Sequence, residues 1–402
     1  MELIPRDNYL SWLCSWQDKP VIKVVSGVRR CGKSTLFKIY QDHLRAQGVE
    51  NSQILSINFE DLAFEDISTY EALYSYILEH LATGRTTYVF LDEIQHVQNF
   101  EKAVDSLFIR DDVDLYITGS NAYLMSGELA TLLSGRYVEL KMLPLSFAEF
   151  CSVADDGESS RNVLFEGYLA RGAFPMVSEM RLDEAQAAEY MRNLYNTILL
   201  KDVVQRLEIR DVTSLENVAR YLLQNIGNKV SLRKISDTLV SSGRKVDQKT
   251  VGKYVRGLTD GLLLYYSPRY DLKGRQLLST NGKYYAVDVG LRRSLVRGRE
   301  SDVGHILENV VYLELLRRGY EVYVGDLMGG EIDFVAVNGS EVEYYQVSAT
   351  TLDEDTLARE LAPFRRLSDN YPKTLLTLDE AFGTMDYEGV QKRNAIGWLL
   401  GE

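Results

Sequence analysis

Val21-Ile22-Lys23-Val24-Val25-Ser26-Gly27-Val28-Arg29-Arg30-Cys31-Gly32-Lys33-Ser34-Thr35 runs from an apolar strand through a Gly-x-x-x-x-Gly-Lys-Ser turn into a helical pattern on Leu36, Phe37, Ile39, Tyr40 and Leu44. That order of strand, turn and helix is the signature of a phosphate cradle. Gly27 and Gly32 let the backbone curl until successive N–H groups point inward, and the helix starting near Lys33 adds its positive dipole end. Lys33 is expected to hold the β and γ phosphates of ATP as a point charge. Ser34 is expected to give its hydroxyl oxygen to Mg²⁺, with Thr35 following in the first helical turn. Arg29 and Arg30 lie inside the loop and face either phosphate or a neighbouring subunit.

A second stretch, Thr87-Tyr88-Val89-Phe90-Leu91-Asp92-Glu93, is a buried strand that ends in two adjacent carboxylates. Ligands of a doubly wound sheet gather at the carboxyl ends of its strands, which brings Asp92 and Glu93 beside the phosphates. Asp92 is then expected to hold Mg²⁺ through water, and Glu93 to orient or deprotonate the attacking water. A third strand, Val113 to Ile117, ends in Thr118-Gly119-Ser120-Asn121. These small polar groups, Asn121 among them, are expected at the same crevice, positioned to sense the γ-phosphate or place water.

The chain resembles the AAA+-type ATPases of bacteria and archaea that carry a second domain of unknown function at the C-terminus. The matching pieces are Gly27 to Thr35, Tyr88 to Glu93, Ile117 to Asn121, Leu132-Leu133-Ser134-Gly135-Arg136, Leu143 to Phe147, Gly172-Ala173-Phe174-Pro175, Lys283 to Asp288 and Gly330 to Phe334. The resemblance implies an arginine finger or sensor at Arg136, where the residues alone allow an exposed salt-bridge partner equally well. It also implies, by analogy with ring-forming relatives, a homo-oligomer.

At 402 residues the chain has room for two to three domains, and an apolar fraction of 45% is that of a globular protein. The expected fold class is α/β. Residues 1–150 read as an AAA+-type P-loop NTPase core with a parallel sheet, and 151–226 as a helical lid. Residues 227–300 read as a winged-helix module and 301–402 as an α/β domain resembling the restriction-endonuclease-like fold. Within the lid, Lys201-Asp202-Val203 falls in a motif without a role, and Asp202 reads equally as a solvated helix charge. Cys14, Cys31 and Cys151 are odd in number and lack metal spacing, and four scattered histidines form no triad. With no run of about 18 apolar residues and no signal peptide, the expected location is cytoplasmic, away from membranes.

A net charge of −13 disfavours indiscriminate nucleic-acid binding, yet residues 229–275 hold eleven basic side chains against four acidic ones. In its second helix Val251, Tyr254, Val255 and Leu258 share one face, and Lys249, Lys253 and Arg256 fall on the other. A helix-turn-helix followed by a hairpin with a basic loop is a winged-helix pattern that suits DNA phosphates. The alternative is that the apolar face packs on the protein itself and the basic face is merely solvated.

In the C-terminal piece, Glu308, Asp333 and Gln346 occupy positions like those of metal-dependent nucleases of the restriction-endonuclease-like fold. Gln346 and Ser348, however, stand where that fold carries an acid and a lysine, and no lysine occurs between Lys283 and Lys373. Without a cation to orient water, nuclease chemistry is expected to be absent. Two uses of ATP turnover follow: action on DNA, with branched or end structures as the candidate forms, or a nucleotide-gated switch for a protein partner.

Overall fold

The computed structural model describes residues 3–119, 133, 135–155, 157–241, 243–244, 246–274, 276–296, 303–327, 330–380 and 385–402. The chain divides into two compact units, Met1–Pro144 with Asp260–Leu262, and Leu145–Thr259 with Leu263–Glu402.

In the first unit, helix α1 (Asp7–Ser15) precedes β1 (Ile22–Gly27), α2 (Lys33–Ala46), β2 (Ile54–Asn58), α3 (Tyr70–Glu79), β3 (Thr87–Asp92), α4 (Phe100–Phe108), β4 (Val113–Thr118) and β5 (Tyr137–Met142). The strands form a parallel five-stranded sheet in the order β2-β3-β4-β1-β5. Every position of β1 and β3 is buried, as expected of central parallel strands covered on both faces. On one side, Ile22, Val24, Val89, Leu91, Leu115 and Ile117 pack with Leu73 and Ile77 of α3 and Val104 and Leu107 of α4. Lys23, buried within this apolar strand, is compensated by an ion pair with Asp114 of β4. The decisive topological fact is that β4 lies between β1 and β3, so the carboxyl ends of all three strands meet at one edge.

The second unit opens with the helices Phe147–Ala154, Arg161–Arg171, Pro175–Glu179, Glu184–Thr197 and Val212–Gln224. Ser146, Ser160 and Asp183 cap three of them, each accepting a backbone N–H of the first turn. These helices cluster with the C-terminal residues, whereas the sequence reading attached them to the nucleotide core as a lid. The Lys201-Asp202-Val203 motif lies in a π-helical stretch, Ile198–Gln205. Asp202 is buried there, not a solvated helix charge.

The carboxylate of Asp288 ties two separate sequence motifs together. It accepts the N–H of Ala173 and that of Leu291, each at 2.6 Å. A Cβ on Gly290 would stand 2.5 Å from the Cα of Gly172, and one on Gly172, at φ 87°, would stand 2.5 Å from the Asp288 carboxylate, so each position excludes a side chain.

Strands β6 (Leu264–Asp271), β7 (Gln276–Ala286), β8 (Glu321–Leu327), β9 (Gly330–Asn338), β10 (Glu341–Ser348), β11 (Lys373–Thr377), β12 (Met385–Tyr387) and β13 (Val390–Asn394) make one mixed sheet, ordered β12-β13-β11-β10-β9-β8-β6-β7. The hairpin read as part of a winged-helix module forms the edge of the C-terminal sheet, with β6 parallel to β8. Ile332, Val335, Tyr344 and Leu375 pack on Leu361 and Phe364 to form its core.

Candidate functional site

The phosphate loop spans the end of β1 and the start of α2. A Cβ on Gly27 would collide with the carbonyl oxygen of Met142 and lie 2.8 Å from the Cys31 sulfur, so only glycine fits there. Gly32 adopts φ 106°, and Arg30 a left-handed φ of 68°. Lys33 is 4% exposed, and its ammonium donates to the Gly27 carbonyl at 3.1 Å. A fixed cation thus sits inside the curl, bonded to loop carbonyls. Thr35 follows half-buried, Arg30 is exposed, and Arg29 reaches Glu60 at 3.4 Å.

Asp92 and Glu93 are both buried at the end of β3. Thr118, at the end of β4, joins them: its hydroxyl donates to the Asp92 carboxylate and accepts the Glu93 N–H at 3.0 Å. Burial raises the Asp92 pKa, against hydrogen bonds from Ser34 and Thr118 that pull it down. For Glu93 the balance goes the other way. Burial acts upward, but the Lys33 ammonium, the Gln95 amide and the charges of Arg29 and His96 together hold its carboxyl below the ordinary value. The Ser34 hydroxyl paired with the Asp92 carboxylate is an oxygen donor set suited to Mg²⁺. The lysine inside the amide-lined curl suits a triphosphate.

The structure thus brings Gly27, Gly32, Lys33, Ser34, Asp92 and Glu93 to one edge of the sheet, together with Thr118, one of the small polar groups read from the sequence at the end of β4. Position at a strand end was the available sequence signal for Thr118. Asn121 lies outside the described residues. Arg136 is not brought to this edge: it immediately precedes β5, its carbonyl accepts the Ile22 N–H at 2.9 Å, and its guanidinium faces Asp105 at 3.5 Å and the Phe108 ring. Since β1 and β5 are parallel, Arg136 lies beside the opposite end of β1 from the phosphate loop.

In the second unit, Lys249, Lys253 and Arg256 are all exposed on the helix Gln248–Asp260, and Val251, Tyr254, Val255 and Leu258 are buried behind them. Lys253 also donates to the Leu207 carbonyl at 2.8 Å.

The acidic cluster contains a cation, which corrects the expectation that it lacks one. Lys283 arrives from β7, on the far side of the sheet order from β10, and is 3% exposed. Its ammonium lies 2.8 Å from Glu308, 2.6 Å from Glu331 and 3.1 Å from Asp333. Tyr285 donates to Glu308 at 2.6 Å, and the Gln346 side-chain oxygen accepts the Asp333 N–H at 3.2 Å. Burial acts to lower the Lys283 pKa, but the three carboxylates outweigh it and hold the ammonium charged well above its ordinary range. Burial pushes Asp333 up to about 7, with Lys283 pulling it back. Lys283, Glu308, Glu331, Asp333 and Gln346 line a cleft of about 670 Å³ with His305, Arg359 and Lys229. Among the described residues no group of three or more His, Cys, Asp and Glu is arranged to hold a metal ion. Spacing along the chain could not reveal Lys283, because it enters from fifty residues before Asp333.

Residues 19–151 match the family described as AAA domain, and residues 162–302 match a domain of unknown function. An uncharacterized protein of Haemophilus influenzae is 39% identical over 401 residues, covering 99% of each chain. One of Methanocaldococcus jannaschii is 29% identical over 86% of this chain and 78% of its own. Among solved structures, the Walker-type ATPase PABY2304 of Pyrococcus abyssi aligns with 73% of this chain and 95% of its own, at a TM-score of 0.51 and 16% identity. With a P-loop sheet, an AAA domain and that full-length identity established, the chain belongs to one family with the Haemophilus influenzae protein.

Proposed function

We propose that this protein binds ATP with Mg²⁺ and hydrolyses it. The observation that carries the reading is the convergence of Lys33, Ser34, Asp92 and Glu93 at one sheet edge. Lys33 draws the β and γ phosphates into the curl, and Gly27 and Gly32 give their N–H groups room to follow. Ser34 and Asp92 would hold Mg²⁺, which when bound spreads charge away from the phosphoryl oxygens. Glu93, kept ionised, accepts a proton from the attacking water, while Thr118 fixes its backbone. Arg136 supplies an arginine finger to a neighbouring copy of the chain rather than to its own phosphates, consistent with its exposure beside Asp105. Such a group is worth about 10³ to 10⁵ in rate. Calorimetry with ATP and GTP tests the core claim, and no heat of binding to folded protein would remove it.

The turnover serves DNA, gripped through Lys249, Lys253 and Arg256, whose exposure supports the assignment. Among the described residues no helix is long and apolar enough to cross a membrane, and we assign the protein to the cytoplasm. Salt-dependent retardation of duplex or branched DNA, weakened by replacing the three basic residues together, tests the grip. No binding to any DNA at low salt would leave the nucleotide-gated protein switch as the reading.

A second reading for the C-terminal cleft is favoured by Lys283. A lysine beside Glu308 and Asp333 supplies the cation whose absence argued against phosphodiester hydrolysis. Mg²⁺- or Mn²⁺-dependent cutting that Asp333→Ala abolishes would establish it, and no cutting with either metal would leave Lys283 as an internal counter-ion.

A further inference from the structure

We propose that Arg6 is a positioning residue of the phosphate loop, acting from outside the nucleotide site by holding the Cys31 carbonyl. The inference rests on the nucleotide reading of that loop. Arg6 precedes α1 and is 3% exposed. One guanidinium nitrogen donates to the Cys31 carbonyl at 3.1 Å, and the other donates to the Leu143 carbonyl at 2.8 Å. The planar fork therefore bridges the loop to the chain just past β5.

The bridge is itself held. The guanidinium lies 4.8 Å from the centre of the Tyr9 ring, whose hydroxyl accepts the Leu143 N–H at 3.1 Å. Met142, next to Leu143, packs its carbonyl against the face of Gly27 where a Cβ would be. Loop, strand end and first helix thus meet at one arginine.

The consequence for the nucleotide follows from peptide geometry. The carbonyl of Cys31 and the N–H of Gly32 belong to one planar trans peptide and point in opposite directions. Capturing the carbonyl on the β5 side turns the Gly32 N–H toward the concave side of the loop, beside Lys33. Without Arg6 that peptide is free to rotate, and the N–H must be oriented when phosphate arrives. Arg6 contributes no contact to the phosphates; it prepays the ordering of a group that does.

The test compares the full-length protein with Arg6→Met and Arg6→Lys, measuring ATP and inorganic pyrophosphate binding at a temperature where circular dichroism shows each variant folded. Arg6→Met is expected to weaken ATP and pyrophosphate in parallel, by roughly tenfold or more. Lysine keeps the charge but cannot span both carbonyls, so Arg6→Lys is expected to lose most of the same affinity. A purely structural role would lower the melting temperature of the unliganded variants and leave both affinities of the folded protein unchanged. Folded Arg6→Met that binds both probes within about twofold of the parent overturns the proposal. If Arg6→Met does not fold, Arg6→Lys is read by the same criterion. Failure of the parent itself to bind ATP would instead refute the nucleotide reading.

Discussion

The Lys33 ammonium stands 3.7 Å from the Glu93 carboxylate. The two groups with opposite tasks in the proposed reaction, one holding phosphate and the other activating water, thus compensate each other's charge across the site. Removing either has a separate signature. Lys33→Ala is expected to abolish measurable ATP binding. Glu93→Gln keeps the shape and the binding but loses the proton acceptor, so turnover should fall by about 10²- to 10⁴-fold. Calorimetry and phosphate release separate the two, and a Glu93→Gln protein that turns over like the parent would refute the water-activating role.

Thr118 satisfies both the Asp92 carboxylate and the Glu93 N–H with a single hydroxyl. Thr118→Ala leaves two buried polar groups short of a partner, at about 1–3 kcal/mol of stability. It also frees the Asp92 carboxylate to swing. The expected result is a higher Mg²⁺ concentration for half-maximal ATP turnover, restored by Thr118→Ser. An unchanged Mg²⁺ dependence in the alanine variant would confine Thr118 to a structural role.

Lys283 faces Glu308, Glu331 and Asp333, so Lys283→Met leaves carboxylates buried without their cation. Breaking such a pair costs about 3–5 kcal/mol. The loss should shrink at pH 5.5 relative to pH 8, because Asp333, whose pKa burial already pushes up to about 7, takes up a proton most readily once the lysine is gone. Urea unfolding at the two pH values checks this, and an equal loss at both would show that the carboxylates do not carry the effect.

The carboxyl of Asp288 is pushed up from its ordinary 3.8 to about 6 by burial, with N–H donors from Leu291, Ala173 and Gly290 pulling it back in part. Between those two values the folded chain retains a proton that the unfolded chain has released. Stability from this group is therefore greatest at low pH and declines as pH rises from about 4 to about 6. The gap is worth roughly 3 kcal/mol. Asp288→Asn does not titrate, so the difference in unfolding free energy between parent and variant should fall across that window. A flat difference would show that the ionised carboxylate sits there without penalty.

The nucleotide core was legible because its signals are local. A strand, a glycine turn and a lysine at fixed spacing determine the loop, and an apolar run ending in Asp92 and Glu93 determines the neighbouring strand end. The amphipathic split of the helix Gln248–Asp260 was equally readable, since periodicity alone separates Val251 and Leu258 from Lys249 and Arg256. Long-range pairing was not. Nothing in the spacing tells that β6 runs parallel to β8, that Lys283 reaches Asp333, or that Asp288 caps the turn at Ala173. Which end of β5 Arg136 occupies was not readable either, because nearness to the sheet in sequence does not set it.

The edge hairpin limits how the protein can be cut. A fragment beginning at residue 301 would lack two strands of its sheet, leaving the unpaired backbone of β8 in water and the acids of the cleft without Lys283. Such a piece is expected to associate through that bare strand instead of standing alone. Any dissection that keeps the cleft intact must therefore start upstream of Gly227, so that it carries all of what looks from the chain like a separate module.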